Sequence, residues 1–260
     1  MGELLSDKIA VKAVNLTKKF GDILAVNDFN LEVYKGETFG LLGPNGAGKT
    51  TTIRVLNCII RPTYGDALVN GISILERPDD VKQICGLLPE TPGVFEKLSA
   101  EEFLDFIGAL YKVPPQTRKN RIDELFGLFG LRDRRNDLLE GYSRGMKQRI
   151  LLAATLVHDP EILFLDEPTS FLDPQAARMV KDLIKMMAEK AKKTMFICTH
   201  ILEIAEEICD RIGIIAEGKL ITTGTPKELM KRTGTSSLES AFIEITGGKI
   251  SIEELLAWRE

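Results

Sequence analysis

A glycine-rich segment followed by a lysine and a hydroxyl residue is the strongest chemical signal in this chain. It matches the pattern G-x-x-x-x-G-K-[ST], in which the glycines let successive backbone N–H groups converge on phosphate oxygens. An apolar strand at residues 38–42 precedes it and a helix-compatible stretch at residues 50–57 follows it, which is the context that the pattern requires. We therefore predict a phosphate-binding site formed by Gly43, Pro44, Asn45, Gly46, Ala47, Gly48, Lys49, Thr50 and Thr51.

Two side chains of this loop suit a nucleoside triphosphate and its metal ion. Lys49 is expected to reach the terminal phosphates, which gives it a catalytic role, and the Thr50 hydroxyl is placed to ligate magnesium. The alternative is a glycine-rich connector, which does not account for the strand before it and the helix after it.

Polar residues follow two further apolar runs. Residues 162–165 are apolar on both faces, as in a central strand, and lead into Asp166 and Glu167. We predict that Asp166 holds Mg²⁺; in sites of this kind the contact usually runs through a water molecule bound to the ion. We also predict that Glu167 orients and deprotonates an attacking water. The run at residues 195–198 leads to His200, which is predicted to hydrogen-bond the γ-phosphate. Taken alone, the acidic pair also fits a turn or cap and His200 also fits a structural histidine, so both assignments depend on the phosphate loop.

Residues 140–149, E-G-Y-S-R-G-M-K-Q-R, resemble the signature sequence of ABC-transporter ATPases, commonly Leu-Ser-Gly-Gly-Gln. The order of motifs over roughly residues 8–225 resembles that family as well. The resemblance implies that Phe20, which otherwise looks like a core residue, stacks on adenine. It also places Glu90 in the loop that normally has a glutamine, where it would contact the nucleotide and its metal ion.

The signature segment also implies a dimer. Ser143 can cap a helix that begins near Gly145, so that its hydroxyl and free N–H groups lie at the positive helix end and are suited to a γ-phosphate. In the family that it resembles, the signature of one subunit covers the nucleotide held by the other. The resemblance therefore implies that two copies, in a homodimer, enclose two ATP molecules.

Four positions depart from the family pattern. Arg144 replaces the first signature glycine and Met146 replaces the glutamine, which leaves Ser143 and Gly145 as the matching pair. Glu90 adds a negative group near magnesium, although a carboxylate can still ligate the ion. Phe171, where the family usually has glycine, adds bulk near the expected dimer contact.

The resemblance further implies a separate transmembrane permease that receives the motion of the ATPase. The stretch at residues 88–111 is rich in large apolar side chains, which fits either a groove for a permease helix or the core of a helical segment. The end of the chain is similar to ATPase subunits of export systems for drugs, lipids, polysaccharides or sodium. We expect an exporter, with an importer second. Two other hypotheses stay open: a soluble ABC ATPase that acts on ribosomes or DNA, and a nucleotide-dependent interaction module that does not hydrolyse.

The composition limits the class of protein. The chain has 260 residues, of which 44% are hydrophobic and 28% are charged, and its net charge of -4 gives no reason to expect a nucleic-acid partner. The sequence shows neither a membrane-spanning run nor a signal segment, and its four cysteines lack the spacing of zinc ligands. We expect a protein of the cytoplasm that sits peripherally at the inner face of the cell membrane through a permease.

These residues need elements that bring them to one place. Strand-like stretches at residues 10–15, 27–33, 38–42 and 66–69 surround the phosphate loop, and a helical pattern covers about residues 99–158. Alternating strands and helices then run to residue 223, and capping boxes are predicted at Ser236 and Ser251. The expected fold class is α/β: a P-loop NTPase of the ABC type with a mostly parallel core sheet, an antiparallel β lobe and a helical subdomain. We expect an ATPase domain at residues 1–225 and a helical extension at residues 226–260.

Overall fold

Two sheets form the frame of the molecule. The computed structural model describes residues 8–90, 93–170 and 172–247. The six-stranded sheet has the order β10-β9-β3-β8-β7-β6; β10 is antiparallel to β9 and the other neighbours are parallel. The four-stranded sheet is antiparallel, in the order β2-β1-β4-β5. The strands are β1 Ile9–Phe20, β2 Ile23–Tyr34, β3 Thr38–Leu42, β4 Tyr64–Val69, β5 Ile72–Ser73, β6 Cys85–Leu88, β7 Ile162–Asp166, β8 Thr194–Thr199, β9 Arg211–Ala216 and β10 Lys219–Gly224.

Helices cover the parallel sheet, and the helices between residues 100 and 156 pack around an apolar cluster that also includes side chains of the sheet. The helices are α1 Lys49–Leu56, α2 Pro78–Ile84, α3 Ala100–Leu110, α4 Pro115–Leu128, α5 Arg144–Leu156, α6 Pro174–Ala191, α7 Leu202–Ile208, α8 Pro226–Thr233 and α9 Leu238–Thr246. Among the residues described, no helix is long and apolar enough to cross a membrane. The predicted α/β fold class is confirmed.

The central strands are mostly apolar because helices cover both faces of the sheet. Every residue of β3, β7 and β8 is buried, and the Phe196 ring packs 5.5 Å, centroid to centroid, from both Phe39 and Phe164. The register sets Leu42 opposite Thr199 and Asp166 opposite Cys198. The phosphate loop, the acidic pair and His200 therefore leave the sheet at one edge, as expected for ligands at the carboxyl ends of parallel strands.

The helical segment begins with a capping box. The Ser99 side chain accepts a hydrogen bond from Glu102 N, and the Glu102 carboxylate accepts one from Ser99 N. Proline separates α3 from α4, which starts at Pro115. Leu104, Phe126 and other buried side chains of these helices pack with α5 against β7 and β8.

The structure adds short elements that were not predicted and corrects one predicted helix cap. The short elements α2 and β6 were not predicted, and β6 extends the parallel sheet beyond β7. The capping box at Ser236 is wrong by one position, because α9 is capped by Ser237, which accepts from Ser240 N. Ser237 directly precedes Leu238, which is 1% exposed. Because Leu238 is buried as the first residue of the helix, the cap falls on Ser237. The box predicted at Ser251 lies outside the described residues.

Candidate nucleotide site

A cavity of about 390 Å³ lies over the phosphate loop. Nine predicted residues line it: Asn45, Gly46, Ala47, Gly48, Lys49, Thr50, Thr51, Glu90 and Glu167. The remaining lining comes from the start of β2 and from the turn between β9 and β10, at Ile23, Leu24, Ala25, Glu217 and Gly218.

Close backbone packing explains two glycines of the loop. A Cβ atom at Gly43 would lie 2.4 Å from Ile215 O, and one at Gly48, whose φ is 104°, would lie 2.2 Å from Ala25 O. The Gly218 N–H also donates a hydrogen bond to Ala47 O at 3.0 Å. The loop is thus fixed between β2 and the β9–β10 turn, and larger side chains at residues 43 and 48 would displace it.

The ammonium group of Lys49 is held inside the loop. Lys49 is 6% exposed, and its Nζ donates to Gly43 O at 2.7 Å and to Pro44 O at 3.1 Å. The same Nζ lies 3.8 Å from Oε1 of Glu167. A buried cation at the start of α1, where backbone N–H groups also point outward, provides an anion-binding site.

Glu167 is held in place by the three groups around its carboxylate. Oε1 lies 2.8 Å from His200 Nδ1, and Oε2 accepts from Thr199 Oγ1 at 3.1 Å and from Ser170 Oγ at 3.2 Å. The backbone of Glu167 is in the left-handed region, with φ at 50°, a strained conformation for a glutamate. Glu167 is buried, whereas the His200 side chain is 48% exposed. The carboxylate of Glu167 is therefore oriented by a histidine that reaches solvent.

Asp166 lies beneath Thr50 and fits a magnesium site. Asp166 is 2% exposed, and within the described part of the chain its Oδ1 atom has no hydrogen-bond partner. Burial raises its pKa to about 6; the Thr50 hydrogen bond opposes this rise, and the charges of Glu90 and Glu167 add to it. A buried, unpaired carboxylate oxygen beside a hydroxyl is a suitable set of hard oxygen donors for Mg²⁺.

Protein side chains alone do not complete such a site. Within the described ranges, no group of three or more His, Cys, Asp or Glu residues is arranged to hold a metal ion. Mg²⁺ prefers octahedral oxygen coordination and usually keeps waters and substrate phosphates as ligands. The arrangement therefore suits a metal ion that arrives with a nucleotide.

Phe20 does not line the cavity. It lies at the end of β1, is 47% exposed, and its ring centroid is 4.9 Å from the Lys18 ammonium. The alternative interpretation of Phe20 as a core residue is wrong, because its ring is half exposed. Ile23, which pairs with Phe20 across the β1–β2 hairpin, lines the cavity.

The signature residues lie away from the cavity. Ser143 is exposed and caps α5 by accepting a hydrogen bond from Met146 N at 3.3 Å; the helix begins at Arg144, one residue before the predicted start. A Cβ atom at Gly145 would lie 3.3 Å from the Ala176 side chain. Neither Ser143 nor Gly145 lines the nucleotide cavity of its own chain. Phe171 lies outside the described residues.

A groove lies between the sheet and the helical segment. Two cavities, of about 220 and 370 Å³, share Leu87 and Tyr111. Phe103 is buried, but Phe95 is 55% exposed and packs its ring against Phe106, which is 40% exposed. Phe103 therefore belongs to the core of the helical segment, whereas Phe95 lies on the surface of the groove. The binding of a permease helix in this groove stays a prediction.

A family model described as ABC transporter matches residues 26–170. The chain belongs to the ABC transporter family. Its relatives include an uncharacterized ABC transporter ATP-binding protein of Nostoc sp., 42% identical over 82% of this chain and 63% of that protein. A second relative is the probable multidrug ABC transporter ATP-binding protein YbhF of Escherichia coli, 38% identical over 90% of this chain and 41% of that protein. The chain thus spans less than two thirds of the length of these two relatives.

A solved structure agrees with this ABC assignment. The fold is similar to a dimeric ATP-binding cassette in a post-hydrolysis state, bound to ADP and Pi, with a TM-score of 0.75 and 26% identity. The match covers 83% of this chain and 98% of that one.

Sequence reasoning missed the part of this ABC cassette that supports the loop from outside. Glu217 and Gly218 occupy a turn between two predicted strands, which is a usable signal for a loop at a sheet edge. Ala25 contributes a backbone carbonyl, and no side-chain pattern reports that contact.

Proposed function

We propose that this chain is the ATP-binding and ATP-hydrolysing subunit of an ABC transporter. The observation that carries the proposal is the Glu167 carboxylate, which lies in the nucleotide cavity 3.8 Å from Lys49 Nζ and 2.8 Å from His200 Nδ1. A nonhydrolysing interaction module would have no need for a carboxylate fixed in this way. Membership of the ABC family and the likeness to an ADP- and Pi-bound cassette support the proposal.

In this proposal each residue has a separate task. Lys49 exchanges the carbonyls of Gly43 and Pro44 for the β- and γ-phosphates, and the loop N–H groups bind the remaining oxygens. Glu167 takes the proton of the attacking water. His200 positions Glu167 and contacts the γ-phosphate, and Phe20 stacks on adenine.

Magnesium would be held by Thr50, Asp166 and Glu90. When bound, it neutralises the charge that develops on the transferred phosphoryl group. Asp166 contributes the buried oxygen that lacks a partner among the described residues, and Thr50 presents its hydroxyl from the first turn of α1.

The site is completed by a second copy of the chain. Ser143 and Gly145 are at the exposed start of α5, and they do not reach the cavity of their own chain. The positive end of α5 suits a γ-phosphate held by another subunit. A homodimer with two ATP molecules at the interface satisfies both observations. The structurally similar cassette bound to ADP and Pi is also dimeric.

Nucleotide-dependent dimerisation tests this proposal. Glu167→Gln protein should form dimers with ATP and Mg²⁺ and stay monomeric with ADP, as measured by sedimentation velocity. Adding Ser143→Arg to that background should abolish the ATP-dependent dimer, because it places bulk and charge at the interface. A Glu167→Gln protein that stays monomeric with ATP would contradict a nucleotide site that is completed by a second copy of the chain.

A membrane permease is the proposed mechanical partner, and its docking place is the groove beside Phe95. This interaction would hold the protein on the cytoplasmic face of a membrane. The name of the multidrug relative YbhF favours export.

Residues 1–225 would form the ATPase domain, and residues 226–260 would form an extension, whose Leu229 and Leu238 pack against β9.

A further inference from the structure

The charges around the nucleotide cavity are unusual for a site that takes a polyanion. Its charged lining residues are Lys49, Glu90, Glu167 and Glu217, one cation and three carboxylates. Asp166 adds a fourth carboxylate directly beneath Thr50. A metal-free nucleoside triphosphate would bring several further negative charges into this set, so Coulomb repulsion opposes its entry.

Two of these carboxylates take no part in the proton transfer of the proposed hydrolysis: Glu90 is a proposed metal ligand, and Glu217 has no role assigned so far. Glu217 lies in the turn between β9 and β10, Glu90 follows β6, and both are exposed residues of the cavity lining. Glu90 acts electrostatically on the metal-binding region, because its charge opposes ionisation of Asp166. Both acidic residues therefore contribute charge to the cavity without being fixed in the way that Glu167 is fixed.

A second, independent observation points to a cation in the same place. Asp166 is 2% exposed, and its Oδ1 atom lacks a hydrogen-bond partner within the described ranges. A buried carboxylate oxygen of this kind is costly unless a proton or a metal ion satisfies it. Lys49 cannot provide that compensation alone, since its ammonium is already shared by Gly43 O, Pro44 O and Glu167.

We infer that Glu90 and Glu217 make the cavity selective for metal-bound over metal-free nucleotide. A divalent cation that enters with the triphosphate reverses the sign of the interaction with Glu90 and screens the repulsion from Glu217. The two carboxylates thus act as specificity-determining residues for the charge state of the nucleotide. This inference rests on the proposed function, since it takes the cavity to be the ATP site.

The exposure of the two carboxylates sets the size of the effect. Both carboxylates are exposed, so water and salt screen them, and each contributes a factor of a few rather than orders of magnitude. Removing both charges should lower the preference for the metal-bound form by about tenfold at low ionic strength. The effect should shrink at high salt, because the Debye length falls to about 3 Å at 1 M.

The test is equilibrium binding of AMP-PNP, a nonhydrolysable ATP analogue, to the full chain by isothermal titration calorimetry. Each protein is titrated once with MgCl₂ and once with EDTA, and the ratio of the two Kd values is compared. The variants are Glu90→Gln, Glu217→Gln and the double variant. Glu244→Gln is the control, because it removes the same charge from α9, which contributes no residue to the cavity lining.

The expected result is a large ratio for the wild type and for Glu244→Gln, and a ratio about tenfold smaller for the double variant, mainly through tighter binding in EDTA. An unchanged ratio in the double variant, with unchanged melting temperature of the nucleotide-free protein, would overturn the inference and leave the ATPase proposal intact. A wild type that binds neither form would overturn the proposed function and this inference with it.

Discussion

His200 Nδ1 lies 2.8 Å from Oε1 of Glu167, although the two residues follow different strands. Asp166 at the end of β7 pairs with Cys198 of β8, so the next residues of both strands emerge side by side. The contact is therefore a product of sheet register. It connects the carboxylate proposed as the general base to a histidine whose side chain is 48% exposed.

Replacing His200 by alanine should reduce ATP turnover by about 100-fold while changing the Kd for ATP less than threefold. Glu167 would keep its Thr199 and Ser170 contacts but lose the contact that fixes Oε1. Steady-state phosphate release gives kcat, and calorimetry gives the Kd. His158→Ala is the histidine control, since His158 bonds Cys85 O and lines the groove instead. Equal losses in both variants would contradict a positioning role for His200.

Asp166 should make the stability of the nucleotide-free protein dependent on pH. Its folded-state pKa is raised from 3.8 to about 6, so between these values the folded state holds a proton that the unfolded state has lost. The free energy of unfolding should therefore fall as pH rises from about 4 to about 6 and stay reduced above that range.

Asp166→Asn tests this pH dependence, because asparagine cannot ionise. Thermal melts without nucleotide should show the variant more stable than the wild type at pH 7.5 by on the order of 2 kcal/mol, with the advantage lost below about pH 4. The same variant should bind ATP with Mg²⁺ more weakly than the wild type does. A variant that is less stable than the wild type at pH 7.5 would argue against a buried, uncompensated carboxylate.

Phe95→Asp should abolish binding of a permease without loss of ATP binding. Phe95 is 55% exposed beside Phe106, so a charge there disrupts the surface of the groove at little cost to the folded chain. Copurification with a multi-span membrane protein is the measurement. Leu128→Asp is the matched control, since Leu128 is 43% exposed and lines neither groove cavity. Retained permease binding by Phe95→Asp would argue against the groove.

Much of the frame could be predicted from sequence because the central strands are buried on both faces. The bounds predicted for β3, residues 38–42, agree with the structure. The Ser99 capping box was also recognisable, since the serine and the glutamate sit at the required spacing. These signals are local, and local patterns can report them.

The parts that were missed depend on contacts between distant segments. The strand Cys85–Leu88 is only four residues long, and its place beside β7 is set by pairing rather than by pattern. Ala25 and Gly218 contact the phosphate loop through backbone atoms, which any residue type provides. The exposure of Phe20 likewise follows from its position at the end of a hairpin, and periodicity does not report it.

The central claim is that Glu167 is the general base of an ATPase. Phosphate release by the wild type and by Glu167→Gln, measured with saturating ATP and Mg²⁺, tests it most directly. The account predicts measurable turnover by the wild type and a reduction of at least about 100-fold in the variant, which should still bind ATP. Equal turnover by the two proteins would contradict the catalytic role of Glu167.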